Sequence, residues 1–450
     1  VLHAQIFKAN DIRGIVGVEW DTAGAWAIGA AYAALVPQRR VVVTRDMRVT
    51  GPDIQEAFMR GLVHGGVSVV DAGLASTDGL WFASGSMDLP GVQITSSHNP
   101  SSYNGMKFCQ EGAKPVTEGF LTDLAALARA IDAGTVDAAT ADQPGTVSVH
   151  DIHDEYVAYL LSLVDATGLR HLRIVVDAGN GMGGLTAPAV LSHLDVEVVG
   201  LYLDLDGTFP NHQPNPLEPE NLVDARRRVR ECGADLGLVF DGDADRVFLI
   251  DERGDVVSPS AITTMIALDE LADEPGGTII VNTITSSAAR EIIEEHHGRV
   301  VMSRVGHTYM KALMASEGAV FGGEHSAHYY FRDFFGADTG MLAALHVICA
   351  VGKSGRNLSD LVRSYTRYVA SGEINSTVHD TQAAMDLVGQ VVGEGATVTW
   401  EDGLKILGDG WWVSLRASNT EPLLRLNVEA RDPDMMVSLR DRVLSLVKEK

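Results

Sequence analysis

The sequence predicts an α/β protein. Three related domains, each a mainly parallel mixed sheet covered by helices, are followed by a C-terminal α+β domain with an antiparallel sheet, around a central cleft. Three observations predict this. An order of strand, helix, strand, helix, strand occurs three times between residues 40 and 328, and such alternation implies parallel sheets with helices on their faces. Each third strand runs into a polar loop. In open parallel sheets ligands gather at the carboxyl ends of strands, so the three loops are expected to converge on one cleft. From about Leu404 the pattern changes to closely spaced strands and one closing helix. A chain of 450 residues exceeds one ordinary core, and boundaries are drawn at 1–150, 151–255, 256–368 and 369–450.

In the first unit, Lys8-Ala9-Asn10-Asp11-Ile12-Arg13-Gly14 reads as a polar surface turn. Residues 41–44 form a strand, 52–64 a helix, 67–70 a strand and 78–84 a short helix. The apolar run 91–94 is a buried strand. It ends in Thr95-Ser96-Ser97-His98-Asn99-Pro100, where Pro100 and the Ser, Asn and Gly residues after it keep the chain in a loop. The Ala-rich stretch 124–141 reads as a helix and a connection. The second unit has strands at 174–176, 196–199 and 236–240, with helices at about 185–194 and 219–231. The third has strands at 279–281, 299–302 and 319–321, with helices at about 286–297 and 309–316. The final part has strands at 404–406, 411–416 and 424–430 and a helix over 434–448.

The composition, 46% hydrophobic and 21% charged, is that of a globular protein. The net charge of −25 comes from 35 Lys plus Arg against 60 Asp plus Glu. It argues against a general nucleic-acid binder, which needs a basic face. An anionic small substrate remains compatible, because a few cations in a cleft reverse the local field. No stretch is apolar for long enough to span a bilayer, and residues 1–10 lack the pattern of a secretory signal. Cys109, Cys232 and Cys349 are far apart and without metal-ligand spacing. Buried thiols in a reducing cytoplasm are expected.

Ser97 beside His98, on a loop at a strand end, has the makings of an exposed nucleophile, although Ser-rich Asn-Pro segments are also common turns. Asp241, Asp243 and Asp245 alternate with small residues, so three carboxylates can fold onto one hard divalent cation. A calcium EF-hand is set aside, because Arg246 stands where its sixth-position glycine is required and both flanks read as strands. Mg²⁺, which takes few protein carboxylates and shares its shell with phosphate oxygen, fits better. Gly179-Asn180-Gly181-Met182-Gly183-Gly184 has dinucleotide spacing, but no acidic residue ends the next strand. It reads as a tight strand-to-helix turn. Glu324, Ser326 and His328 offer an acceptor, a hydroxyl and a titratable imidazole suited to sugar hydroxyls and proton transfer. His307 lies at the end of another strand. Arg416 with Ser418, Asn419 and Thr420 suits a phosphate cradle, with a plain hairpin loop as the alternative.

Together these residues resemble the α-D-phosphohexomutase family, and within it the phosphomannomutase/phosphoglucomutase group. The hallmarks T-x-S-H-N-P, D-G-D-x-D-R, G-E-x-S-x-H and R-x-S-N-T-E-P stand here in the family order, across essentially the whole chain. The resemblance implies four domains carrying in turn the phosphoserine, metal, sugar and phosphate loops. Ser97 would be the phosphorylated residue and, with Asp241, Asp243 and Asp245, would hold Mg²⁺. Its phosphoryl group would pass to the free 1- or 6-oxygen of a mannose or glucose phosphate. Hexose 1,6-bisphosphate, intermediate and activator, would turn over in the cleft and return the other phosphoryl group.

Arg13, Lys107 and Arg246 match family positions near the moving group, whose negative charge needs positive neighbours. His307, Glu324, Ser326 and His328 would contact the sugar, and Arg416, Ser418, Asn419 and Thr420 the far phosphate. For the proton acceptor the resemblance offers His328, with His98 and Lys107 nearby. There are three departures. Ser96 and Ala327 stand where glycine is common, and Thr283 and its neighbours lack a lysine that some members carry. The order Glu-x-Ser-x-His, with His325 at the variable position, points to mannose and glucose phosphates. A phosphoglucosamine mutase is the nearest alternative, and a non-catalytic sugar-phosphate-binding protein the one from another class. The expectation is a cytoplasmic monomer, with a dimer as the alternative, and neither nucleic acid nor membrane as partner.

Overall fold

The computed structural model describes residues 1–417 and 423–448. Each of the three predicted units has its own sheet. The first runs in the order Ile12–Ile15, Tyr103–Cys109, Gly91–Ile94, Arg40–Arg45, Ser68–Leu74, Val147–Val149. Its last four strands are parallel, and the first two are antiparallel to their neighbours. The second sheet runs Val247–Asp251, Leu236–Phe240, Leu172–Asp177, Val196–Leu201, with only the first strand antiparallel. The third runs Arg299–Ser303, Thr278–Asn282, Phe321–Gly323, Tyr329–Phe331, Ala337–Asp338, and its last two strands are antiparallel to their neighbours.

One construction is used three times. The third strand of each unit turns back as an antiparallel hairpin, with Ile94 opposite Met106, Phe240 opposite Val247 and Gly323 opposite Tyr329. Each chemistry-bearing loop is the connection of that hairpin. The central strands Leu236–Phe240 and Thr278–Asn282 are buried at every residue, which is why they read as unbroken apolar runs.

The fourth domain is antiparallel. Leu423–Ala430 pairs with Val369–Ala370, Ile374–Thr377 and Trp411–Ala417, and the sheet continues through Leu404–Gly408 to Thr397–Thr399. One face buries Val413, Leu415, Leu424, Leu426 and Val428 in a core that also takes residues of the helices Thr381–Val392 and Pro433–Lys448. The other face is polar, pairing Trp412 with Glu429, Ser414 with Asn427 and Arg416 with Arg425. It meets the third domain, where the Ser287 backbone N–H donates to Glu429 at 2.9 Å.

Some elements carry no clear pattern in the sequence. Ile12–Ile15, expected as a surface turn, is a strand with Ile12 and Gly14 buried. It can sit there because its partner is Gly105, where a Cβ would lie 1.9 Å from the Ile12 carbonyl oxygen. The helices Thr22–Leu35 and Gly340–Ser354 are apolar nearly all round, because they are covered on several sides, and Pro259–Asp273 buries Ser260, Thr263 and Thr264 along with its apolar residues. Such helices show no single stripe.

The domains interlock. Asp78, fully buried, accepts hydrogen bonds from Ser76, from Tyr156 of the second domain at 2.7 Å and from Thr339 of the third at 2.7 Å. Lys311 of the third domain lies 3.6 Å from the Trp81 ring centre and 2.9 Å from Asp338. Between the third and fourth domains, Asp402 accepts from the Thr283 hydroxyl at 2.8 Å and the Val305 N–H at 3.0 Å, and Lys405 donates to the Thr283 carbonyl. Cys109 and Cys349 are buried and Cys232 half-buried, all as free thiols. No helix among the described residues is long and apolar enough to cross a membrane.

Candidate active site

The Gly91–Ile94 strand delivers Ser97 to the cleft in a left-handed backbone conformation, φ +49°. That conformation is uncommon for a side chain bearing a Cβ. Thr95 secures it by accepting the Ser97 N–H at 2.9 Å and donating to the buried Asp46 at 2.6 Å. Beneath the loop lies Arg48, 1% exposed. Its Nη2 donates to the carbonyls of Ser97 and Asn99 at 2.8 and 2.7 Å, and its Nη1 to those of Pro100 and Tyr103, both at 2.8 Å. The sequence carries no signal for this contact, because all four acceptors are backbone oxygens.

The Ser97 hydroxyl donates to Asp241 Oδ2 at 3.0 Å, which brings the first two predicted loops together. Asp241, Asp243 and Asp245 are all buried and each offers an oxygen within 4.8 Å of the others. Lys107, on the returning strand Tyr103–Cys109, donates to Asp243 at 2.7 Å and Asp245 at 2.6 Å. Arg246 donates to Asp241 at 2.7 Å. Arg13 spans from Asp11 at 2.7 Å to Asn99 at 2.9 Å. Asp243 also accepts from Thr77, a support missed in the sequence, at 2.5 Å.

Burial pushes the Asp241 carboxyl up despite the Arg246 guanidinium beside it. Burial works the same way on Asp243, but Lys107 outweighs it and holds that carboxyl well below the usual range. Asp243 Oδ1 and Asp245 Oδ1 are buried without a hydrogen-bond partner among the described residues. Orphaned carboxylate oxygens in an all-oxygen set are what a hard divalent cation binds, so these residues fit such a metal.

In the third loop Glu324 is buried and takes hydrogen bonds from Tyr330 at 2.7 Å, the Gly306 N–H at 3.0 Å and Asn282 at 3.3 Å. Ser326 and His328 Nδ1 are 3.0 Å apart, and His328 Nε2 lies 3.8 Å from Asp245, so this loop reaches the metal loop. Ala327 has φ +66°, a left-handed position that gives a physical reason for glycine there. His307 opens the helix His307–Ser316, and burial followed by the Lys311 charge pushes its imidazole down to about 3. His325, expected to bear on sugar choice, turns away. Its Nδ1 is 3.0 Å from Ser260, and it lines a cavity of about 170 Å³ between the third and fourth domains, with Trp412, Asn427 and Glu429.

Arg416 is the penultimate residue of the strand Trp411–Ala417 and lies 3.4 Å from Glu373. Ser418, Asn419 and Thr420 lie outside the described residues. Of the three expected proton acceptors, Lys107 is held protonated. Burial alone would lower it, but Asp243 and Asp245 together raise it above an ordinary lysine. The His98 imidazole is kept neutral by burial and by Arg246 and Arg13. Its Nδ1 already accepts from Arg246 at 2.7 Å, since a guanidinium can only donate.

A serine hydroxyl on a buried carboxylate cluster that fits a divalent cation, ringed by Lys107, Arg246 and Arg13, has the arrangement of a phosphoryl-transfer enzyme. Comparison with known proteins makes this specific. Models of the phosphoglucomutase/phosphomannomutase alpha/beta/alpha domains I, II and III match residues 4–134, 154–254 and 259–368, and that of the C-terminal domain matches 373–446. A relative from Xanthomonas campestris pv. campestris, described as phosphohexose mutases, is 40% identical over 444 residues, 98% of each chain. A phosphomannomutase of Salmonella montevideo is 38% identical over 451 residues, again 98% of each. The crystal structure of a phosphoglucomutase/phosphomannomutase family protein from Burkholderia thailandensis superposes with a TM-score of 0.90 at 30% identity, covering 100% of this chain and 98% of its own. The chain belongs to the phosphoglucomutase/phosphomannomutase family and is a mutase, an enzyme that moves a phosphoryl group within its substrate.

Proposed function

We propose that this mutase moves a phosphoryl group between O1 and O6 of mannose and glucose phosphates, by way of a phosphoserine at Ser97 and a hexose 1,6-bisphosphate intermediate. The observation that carries the reading is the Ser97 hydroxyl, 3.0 Å from Asp241 among three buried carboxylates and their facing cations. The name phosphomannomutase, printed for the Salmonella montevideo relative, supports mannose phosphate as one substrate.

In this reading phospho-Ser97 gives its phosphoryl group to the free sugar oxygen and later regains one from the other end of the bisphosphate. Lys107, Arg13 and Arg246 offset the negative charge that spreads over the moving group. Mg²⁺, held by Asp241, Asp243, Asp245 and an oxygen on Ser97, would supply further positive charge there. Glu324 and Ser326 orient the sugar hydroxyls, and Arg416 with Ser418, Asn419 and Thr420 grips the far phosphate. His328, between Ser326 and Asp245, is the favoured proton acceptor, since Lys107 is protonated and the His98 lone pair is engaged. A cytoplasmic monomer completes the reading, its compartment supported by three unpaired thiols.

The test is a side-by-side turnover assay on mannose, glucose and glucosamine 1-phosphates, with Mg²⁺ and a trace of hexose 1,6-bisphosphate. Conversion of the mannose and glucose compounds is expected. Preference for the glucosamine compound would overturn the substrate assignment, and tight binding without conversion of any sugar would overturn the catalytic reading.

A further inference from the structure

We propose that Arg48 is the positioning residue of the nucleophile, and that the second domain holds it in place through Phe209 and the turn at Asn180. The proposal rests on the reading of Ser97 as the phosphorylated residue and adds how its loop is aimed.

The guanidinium is wholly inside the protein. Its Nε lies 3.3 Å from Asp46 Oδ2, with both side chains fully buried, and Asp46 Oδ1 accepts the Arg48 N–H at 3.0 Å. A buried cation is tolerated when its charge is paired and most of its donors are used; the Nε makes the ion pair with Asp46 but no hydrogen bond among the described residues. Here four of its N–H groups go to four carbonyls of one loop, Ser97, Asn99, Pro100 and Tyr103. A planar fork of donors fixes the direction of each acceptor as well as its distance. The carbonyl of Ser97 is among them, so Arg48 sets one side of the left-handed residue whose hydroxyl meets Asp241.

Arg48 is braced from across the domain boundary. The Phe209 ring centre lies 5.3 Å from its guanidinium carbon, close enough for attraction between cation and ring. A Cβ on Gly207 would fall 2.6 Å from Arg48 Cα, so the two backbones touch. The loop bearing both is tied to Asn180, whose carbonyl accepts the Asp206 N–H at 3.0 Å and whose side chain donates to the Asp204 carbonyl at 2.9 Å. The same turn reaches the metal loop, where the Met182 N–H donates to the Gly242 carbonyl at 2.9 Å. A closed circuit of contacts thus runs from the metal loop through Asn180, Phe209 and Arg48 to Ser97. The glycine-rich turn 179–184 gains a purpose as part of that frame.

The experiment measures single-turnover transfer from phospho-Ser97 to hexose phosphate, per folded, phosphorylated molecule, with phosphate content read by intact mass. Arg48→Lys keeps the charge but replaces the fork with a point donor. It is expected to slow transfer on the order of 100-fold, the scale of a small misplacement of a reacting group, while the hexose phosphate Kd by calorimetry stays within about twofold. Phe209→Leu is expected to slow the same step about 3- to 10-fold with unchanged circular dichroism, and it carries the test if Arg48→Lys does not fold. Wild-type transfer rates in the folded variants, or a loss seen only as weaker ligand binding, would overturn the proposal. Absence of phosphate on Ser97 in the wild type after incubation with hexose 1,6-bisphosphate would instead overturn the nucleophile assignment.

Discussion

Gly242 stands directly against the carbonyl of Ser97: a Cβ built on it would lie 2.3 Å from that oxygen, and 3.3 Å from Pro214 Cβ. The glycine between the first two metal-loop aspartates is therefore a spacing element between loops from two domains. Gly242→Ala must push the nucleophile away from Asp241. The expected outcome is a fall in kcat on the order of 100-fold with KM little changed, read by steady-state kinetics. A large rise in KM with kcat intact would show that the contact serves binding instead.

Ser97→Ala should remove nearly all mutase activity, by about a thousandfold or more as for other nucleophiles that act as part of a unit. The thermal midpoint should move little, because the hydroxyl lies in a loop and not in the apolar core. Intact mass before and after incubation with hexose 1,6-bisphosphate should show loss of a transferable phosphoryl group. Activity near wild type would refute the assignment.

Chelation should abolish turnover and added Mg²⁺ should restore it. Asp243→Asn should raise the Mg²⁺ concentration needed for half-maximal activity at least about tenfold. Indifference of the wild type to chelator would count against the metal reading of the orphaned oxygens on Asp243 and Asp245.

Asp78 gives stability a pH dependence. Burial, outweighing its hydroxyl donors, lifts the carboxyl from 3.8 to about 6. Between those values the folded chain holds a proton that the unfolded chain has released, so stability falls as pH rises through the window. At about 1.4 kcal/mol per pH unit the change amounts to about 3 kcal/mol. Urea unfolding of wild type and Asp78→Asn from pH 4 to 6 should show the wild type losing stability relative to the variant. A difference that stays flat would mean that the carboxyl is charged throughout.

Lys311 and Asp338 form a buried pair over Trp81. Lys311→Met should destabilise by about 3 kcal/mol or more, because it strands a buried carboxylate. The double variant Lys311→Met with Asp338→Leu should recover part of the loss. Thermal midpoints of the three proteins decide it. A double variant no better than the single one would show that the pair is needed for more than mutual neutralisation.

The convergence of the loops bearing Ser97, the aspartates and Glu324 was legible because short polar motifs stood at the ends of apolar strands, where local pattern and sheet logic agree. The returning strands and Ile12–Ile15 were harder. Lys107 shares a strand with Met106 and Phe108, and Arg13 sits in a segment that reads as a turn until Gly105 admits its backbone. Arg48 was invisible for a different reason, since its partners are peptide carbonyls, which every residue has. Asp78 likewise depends on Tyr156 and Thr339, contributed by two other domains. His325, read as bearing on sugar choice from its place in the motif, lies against Ser260 in the cavity between the third and fourth domains, a placement that no local pattern announces.

The seam between the third and fourth domains has a consequence for selectivity. Asn282 and Gly306 hold Glu324, while their chain neighbours Thr283 and Val305 are held by Asp402. Two adjacent pairs of residues are thus pulled from opposite sides, one pull from Glu324 and one from the fourth domain. It follows that the fourth domain cannot lift away without slackening the backing of Glu324. With the proposed roles of Glu324 on the sugar and Arg416 on the far phosphate, the cleft would work as a ruler. A compound whose phosphate sits at the wrong distance from its hydroxyls fails to seat the far domain, and so also meets a looser grip on the sugar it does present.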